Sequence, residues 1–170
     1  MKVCLGALVV LVLASPAVAG DEPLRELPKL ESGEWGYQEV VSVDAAEAPE
    51  LQSRARAWIA AIYRSGKDVT QLDDPSGGTI VAKGNFGINL FLGVATINHA
   101  LTLEFKHGRY RYQLAGFSAY GRPIDAWVHD AAPSEKGRAK VRSRIAVESQ
   151  ALIESLKAAM EKASPATSNW

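Results

Sequence analysis

The stretch from Ile97 to Phe117 restricts the fold of this chain more tightly than any other. Ile97, His99, Leu101, Leu103 and Phe105 alternate with Asn98, Thr102, Glu104 and Lys106, the period of two expected when one face of a strand is buried. Tyr110, Tyr112 and Leu114 repeat the alternation against Arg109, Arg111 and Gln113. Between the two runs lies His107-Gly108, a two-residue link with glycine where a hairpin turn needs a positive φ. Closure through two residues sets the register. Lys106 faces Arg109, Phe105 faces Tyr110, Glu104 faces Arg111, Leu103 faces Tyr112, Leu101 faces Leu114 and His99 faces Gly116. One surface of the hairpin is then aromatic and aliphatic, and the other is polar with a Glu104–Arg111 pair. Lys106 opposite Arg109 requires a solvated tip.

A sheet with one apolar face needs a covering layer, and two helices supply it. The first opens at Pro49, where a missing N–H costs little. Leu51, Ala55, Trp58, Ile59 and Ile62 then form a stripe with Arg54, Arg56 and Arg64 off it, and Gly66 offers a left-handed cap. The second follows Pro133-Ser134 and runs to about Ala163. Val141, Ile145, Leu152, Leu156 and Met160 mark its inner face, interrupted by Ser149.

The remaining strands are shorter. Trp35, Tyr37, Val41 and Val43 alternate with Gly36, Gln38 and Ser42, although Glu39 falls on the apolar face and Val40 on the other. Asp68 to Leu72 reads as a strand, residues 73–78 (Asp-Asp-Pro-Ser-Gly-Gly) as a turn, and Thr79 to Phe86 as a second strand. Gly87 to Gly93 is apolar and glycine-bracketed without a clean period, a hairpin tip or an irregular loop. Gly121 to Pro133, with Trp127 and His129, reads as a connector. The order β-α-β-β-β-β-α describes an α+β domain over residues 35–163, a bent antiparallel sheet with two helices packed on one face.

The ends are of another kind. Met1-Lys2, the apolar run Val3–Leu13 and the small-x-small Ala17-Val18-Ala19 have the order of a cleavable signal peptide, with an apolar run too short to span a bilayer. Removal of residues 1–19 from the 170 leaves 151, enough for one domain burying roughly 70% of its unfolded surface. The only cysteine, Cys4, departs with the leader, so no disulfide or thiolate chemistry is expected. Cys4 precedes the apolar run, where a lipidated cysteine would follow it. A periplasmic or secreted address is therefore expected. Residues 20–34, with Pro23 and Pro28 among charges, read as a linker or strap, and 164–170 as a fraying tail.

Loss of Lys2 leaves 18 bases against 19 acids, so no global field steers the chain to nucleic acid or an anionic membrane. The charge is uneven, however. Residues 21–50 hold nine acids against Arg25 and Lys29, while 135–144 hold five bases against Glu135. These halves either complement each other within the fold or are solvated.

Three stretches carry a resemblance: Val40–Val43 leading to a helix with Trp58, Ile59 and Tyr63; the strand Gly77–Gly84; and Phe105-Lys106-His107-Gly108-Arg109-Tyr110-Arg111-Tyr112. Over residues 35–120 the chain resembles a bacterial secreted domain family of unknown function with a TATA-binding-protein-like fold. That family usually has aspartate where His107 stands; both accept a left-handed turn. The resemblance implies the fold and the exported address. It implies no catalytic residue, and the fold name alone implies no DNA binding.

Chemistry-bearing residues are sparse. His99, His107 and His129 form neither an i, i+4 pair nor a Cys/His spacing, so no metal site is expected. Gly84, Gly87 and Gly93 are dispersed with no helix after them, so no phosphate loop or cofactor is expected. Tyr110 and Tyr112 share the apolar face, where packing rather than base stacking accounts for them. His99 reads either as a core histidine satisfied by a hydrogen bond or as a ligand contact in a sheet-facing pocket. His129-Asp130 supplies two parts of a charge relay, but without a Gly-x-Ser-x-Gly elbow a hydrolase is the least favoured reading.

Ile88, Leu90, Phe91 and Leu92 either extend the neighbouring strands or form a patch for a partner, a lipid or a second subunit. Lys136, Lys140 and Arg144 recur every fourth residue near a helix start, opposing one another and the dipole by roughly a few tenths of a kcal/mol. The favoured reading is a non-catalytic binding module. Its occupant would be a small apolar molecule or an envelope protein at Ile88, Leu90, Phe91, Leu92 and His99. The alternative is a structural envelope protein meeting an anionic polymer through the basic helix 135–144. An apolar concavity beside His99 would favour the small ligand, and a filled core would remove it. The export reading is checked by the intact mass of the protein recovered from the periplasm, which is expected to correspond to a chain beginning at Gly20.

Overall fold

The structure, a computed structural model, describes residues 23–63, 69–91 and 93–162. The leader with Cys4, Gly66, Asp68, Leu92 and the tail 164–170 lie outside the described residues. Six strands and three helices are present among those described: β1 (Tyr37–Ser42), α1 (Ala48–Ile62), β2 (Thr70–Asp74), β3 (Thr79–Leu90), β4 (Gly93–Lys106), β5 (Arg109–Ala119), β6 (Arg122–Pro123), α2 (Ile124–Ala131) and α3 (Glu135–Glu161). The sheet is antiparallel in the order β1-β5-β4-β3-β2, with β6 paired to the end of β5. The helices cover one face and leave the other to solvent. This is the expected α+β arrangement, with β6 and α2 in addition.

The β4–β5 hairpin has the expected register from Lys106↔Arg109 to Leu101↔Leu114. Its tip docks on the loop before α1: Val43 N–H donates to Gly108 O and Gly108 N–H to Ala46 O, each at 2.9 Å. Beyond Leu101 the expected pairing of His99 with Gly116 is overturned. Ala100 faces Ala115 but Asn98 faces Ser118, so two residues of β5 oppose His99. This is a β-bulge, and Gly116 takes φ +68° within it. The extra residue moves the buried side of β5 from Tyr110, Tyr112 and Leu114 to Phe117 and Ala119.

Three further expectations are corrected. Residues 87–93 are no irregular loop. Ile88 pairs with Ala95 and Leu90 with Gly93, so β3 and β4 continue to a two-residue turn. Phe86, Ile88 and Leu90 alternate inward, and Gly87 and Asn89 obscured that period. The connector 121–133 contains α2, begun by Pro123 at the N-cap and Asp125 in the first turn, with Ile124, Trp127 and Val128 buried at i, i+3 and i+4. Ile62 is exposed while Tyr63 is buried. The backbone leaves the helix at Tyr63 (φ −101°, ψ 126°), which turns that ring toward the sheet.

Polar contacts place α1 against β2 and α3. Arg56 holds Asp73 through Nε and Nη2 at 2.6 and 2.8 Å, and buried Gln52 donates to Asp73 Oδ1 and Asp74 O. Trp58 Nε1 donates to Ser155 Oγ on α3 at 3.1 Å. Helix α3 starts, as expected, after Pro133-Ser134, with Ser134 as its N-cap: Ser134 Oγ accepts from Gly137 N–H. It buries Val141, Ile145, Ile153, Leu156 and Met160, each contributing about 1.5–3 kcal/mol of apolar burial. Glu39 points to the helix side of edge strand β1 and accepts from Lys157 Nζ at 2.6 Å and Tyr112 OH at 2.8 Å. An inward charge satisfied in this way discourages sheet extension at that edge. Of the segment 20–34, residues 23–34 are described: Leu27 is buried and Arg25 N–H donates to Ser143 Oγ.

At Gly116 a Cβ would meet Ala100 only at ordinary contact distance, 3.5 Å. Conformation alone therefore opposes a side chain there. Gly116→Ala is expected to cost about 1–2 kcal/mol, measured as a lower urea midpoint at unchanged m; an unchanged midpoint would show that the bulge does not need the left-handed backbone.

Candidate functional site

Two places bring the residues singled out in the sequence together: the interior around His99 and the corner where the β3–β4 tip meets α3. The first is a packing device. His99 is 3% exposed. Its Nε2 lies 2.9 Å from the Tyr63 hydroxyl, and Phe86 stacks on the imidazole at 5.2 Å between centroids. Tyr63 reaches it across Gly84, where a Cβ would stand 2.1 Å from the ring. A glycine in the middle of β3 is thus explained by the aromatic that lies on it.

Burial pushes His99 down to about 4 and Tyr63 up to about 12, so both are neutral at physiological pH. His99 Nδ1 has no partner among the described residues. No carboxylate orients the imidazole, and Tyr63 and Phe86 fill the space that the sequence left for a ligand. His99 is therefore placed in the core. An open polar groove of about 450 Å³ lies at the bulge, lined by the side chains of Lys83, Asn85, Asn98 and Ser118 and reaching Gly84, His99, Ala100 and Gly116.

The other histidines lie apart. His107 is in the turn, with Nδ1 3.1 Å from Glu47 Oε1. His129 and Asp130 are exposed on α2 with 3.5 Å between Nδ1 and Oδ1. Arg122 Nη1 holds Asp130 Oδ2 at 2.6 Å and, as the main cause, keeps that carboxyl below its ordinary range. The pair faces solvent rather than a cleft. Among the described residues no three His, Cys, Asp or Glu side chains are grouped to hold a metal ion.

The corner is where sequence and structure differ most. Ile88 is buried and Leu90 half-buried, so these two close the end of the core. Phe91 at the turn is 100% exposed, and Val94 opposite Asn89 is 65% exposed. Leu92 lies outside the described residues. A surface groove of about 440 Å³ joins Asn89 to Leu24 of the N-terminal segment and to Lys140, Arg144 and Val147 of α3. Leu24 and Val147 are 50% and 42% exposed.

Arg144 Nη1 donates to the Asn89 carbonyl, joining α3 to the hairpin. Of the five bases in 135–144, Arg138 and Arg142 are taken by Glu135 at 2.8 and 2.6 Å. Lys136 and Lys140 are exposed and carry no ion pair among the described residues. The expected basic face therefore narrows to Lys136, Lys140 and Arg144, one side of the helix. Leu24, Val94 and Val147 escaped the sequence reading because isolated apolar residues in three distant segments give no period.

An open antiparallel sheet covered by helices on one side defines a class of small α+β domains. Residues 37–120 match the family model of a domain of unknown function with TBP-like fold, DUF4468. The chain is similar to a TBP-like protein from Parabacteroides distasonis, with 14% identity and a TM-score of 0.60, covering 81% of this chain and 99% of that one. It is also similar to a DUF4468 family protein from Bacteroides ovatus, with 16% identity and a TM-score of 0.62, covering 84% and 94%. At these identities the likeness shows the fold alone. No curated protein matches the chain. The family brings no known catalytic role. No described helix is long and apolar enough to cross a membrane.

The His99 environment sets a pH dependence. The folded protein keeps His99 neutral down to about pH 4, whereas the unfolded chain takes up that proton near 6.5. Stability is accordingly lost as pH falls through that window and does not change on this account above it. Urea unfolding at about pH 7 and about pH 4.5 is expected to show the wild type losing about 2 kcal/mol more than His99→Gln. Equal losses would mean that His99 is not buried as a neutral group.

Proposed function

We propose that this protein is an exported, non-catalytic docking domain that attaches to a component of the bacterial envelope. The contact surface is the corner formed by Phe91, Leu24 and Val147 beside Lys136, Lys140 and Arg144. One observation carries the reading: a phenyl ring stands wholly exposed at the end of a long hairpin, beside other exposed apolar side chains and a row of cations. Burying Phe91 on a partner would remove an apolar ring from water, a gain of about 1.5–3 kcal/mol that the isolated protein forgoes.

Other features support this reading over its rivals. The leader has the order of a cleaved export signal. Tyr63 and Phe86 fill the space beside His99, which leaves a small apolar ligand without its pocket. His129 and Asp130 face solvent with Arg122 on the carboxylate, which leaves a hydrolase without a nucleophile or a cleft. The basic face retained from the polymer-binding reading becomes one side of the same surface.

The test is co-sedimentation of the purified mature chain with the envelope fraction of the bacterium that makes it. The wild type is expected to sediment with the envelope, and Phe91→Asp combined with Lys140→Glu to lower binding roughly tenfold or more at an unchanged thermal midpoint. Equal sedimentation of both proteins, or of neither, would overturn the proposal.

A further inference from the structure

Resting on that docking surface, we infer that its partner is the anionic face of a phospholipid bilayer. Three of the eight large apolar side chains exposed among the described residues lie at this one corner: Leu24 and Val147 line one groove with Asn89, and Phe91 stands two residues beyond Asn89 at the turn. They come from the N-terminal segment, the β3–β4 tip and α3, so tertiary structure alone assembles them.

The form of the surface selects the partner. A protein interface of ordinary strength presents a closely packed patch of about 800 Å² on each side, with an apolar centre. Here the apolar groups are separate pegs around a groove. The most prominent, Phe91, stands out at a turn instead of lying in a recess. A fluid interface accepts such pegs one at a time, each entering the boundary between headgroups and acyl chains.

The cations are placed for headgroup phosphates. Lys136, Lys140 and Arg144 are spaced four residues apart, a row about 12 Å long at 1.5 Å per residue, and Arg25 lines the same groove. Lysine keeps its ammonium at the phosphates while its stem lies on apolar surface. Two contacts oppose this attraction without cancelling it. Glu148 also lines the groove, and Arg144 gives one N–H to Asn89 O. The corner remains cationic in a chain whose overall charge is close to zero. Orientation therefore comes from this local field and not from the net charge.

The experiment uses the full mature chain and sucrose-loaded vesicles of phosphatidylcholine alone or of phosphatidylcholine with phosphatidylglycerol. Binding is expected to the phosphatidylglycerol vesicles and to fall roughly tenfold between about 50 mM and about 500 mM salt. Phe91→Asp, and separately Lys136→Gln with Lys140→Gln, are each expected to lower partitioning roughly tenfold. Val40→Asp, a change at an exposed residue of β1, is expected to leave it unchanged. All four substituted positions are exposed, and an unchanged thermal midpoint shows that each variant is folded. Failure to bind phosphatidylglycerol vesicles, or equal binding by wild type and all variants, overturns the inference. If the envelope fraction still binds through Phe91 and Lys140, the docking surface stands and its partner is a protein or an anionic polymer. If the envelope fraction does not bind either, both readings fall.

Discussion

Burial of the inward row of β4 is the constraint on which the rest of the structure depends. Ala95, Ile97, His99, Leu101, Leu103 and Phe105 occupy one face of the central strand, and all six are buried. β3 and β5 pair with β4 on either side, and the apolar rows they add make a surface that α1 and α3 must cover. From Asn98 onward the central strand is paired on both sides and satisfies its backbone groups within the sheet, so what remains to be settled there is which side chains leave water. The bulge at Gly116 belongs to the same constraint. Without its extra residue, Phe117 and Ala119 would turn to the solvent face and leave the far end of the row uncovered.

The polar groups on the buried face show how this row tolerates exceptions. Glu39 is charged and is held by a lysine and a tyrosine hydroxyl at the rim. His99 is deeper and is kept neutral, with one nitrogen on Tyr63 and the other without a partner among the described residues. The difference follows from depth. At the rim a carboxylate keeps part of its hydration and gains a cation, whereas farther in the cost of burying charge exceeds anything a hydroxyl returns. Gly84 belongs to the same arrangement, since the Tyr63 ring occupies the volume of its missing side chain.

The corner proposed for docking results from lengths that do not match. β3 and β4 extend well past the five-residue strand β2, so their shared turn projects beyond that edge of the sheet. Ile88 and Leu90 on the inner side of this projection are covered, and Arg144 joins α3 to it through Asn89. Phe91 and Val94 have no such cover. The family likeness accounts for the sheet and helices but, at 14–16% identity, carries nothing about this corner.

The sequence by itself determined the elements whose signal is periodic: the hairpin Ile97–Leu114 with its turn, α1 from Pro49, α3 from Ser134, and a sheet with helices on one side. Two-residue closure and apolar repeats are local properties, so they survive without knowledge of neighbours. Where the period broke, the reading broke with it. The Gly116 bulge shifted the phase, glycines hid the alternation through Ile88 and Leu90, and α2 was too short for its stripe to stand out. Of the site residues, the apolar turn at Phe91 and the basic row at Lys136, Lys140 and Arg144 were legible, but as two unrelated features. Only tertiary structure decided that His99 belongs to the core, that Glu135 withdraws Arg138 and Arg142 from the basic face, and that Leu24 and Val147 come to the end of the hairpin that carries Phe91. These outcomes depend on contacts between residues far apart in the chain, and pairing at a distance leaves no mark in local spacing.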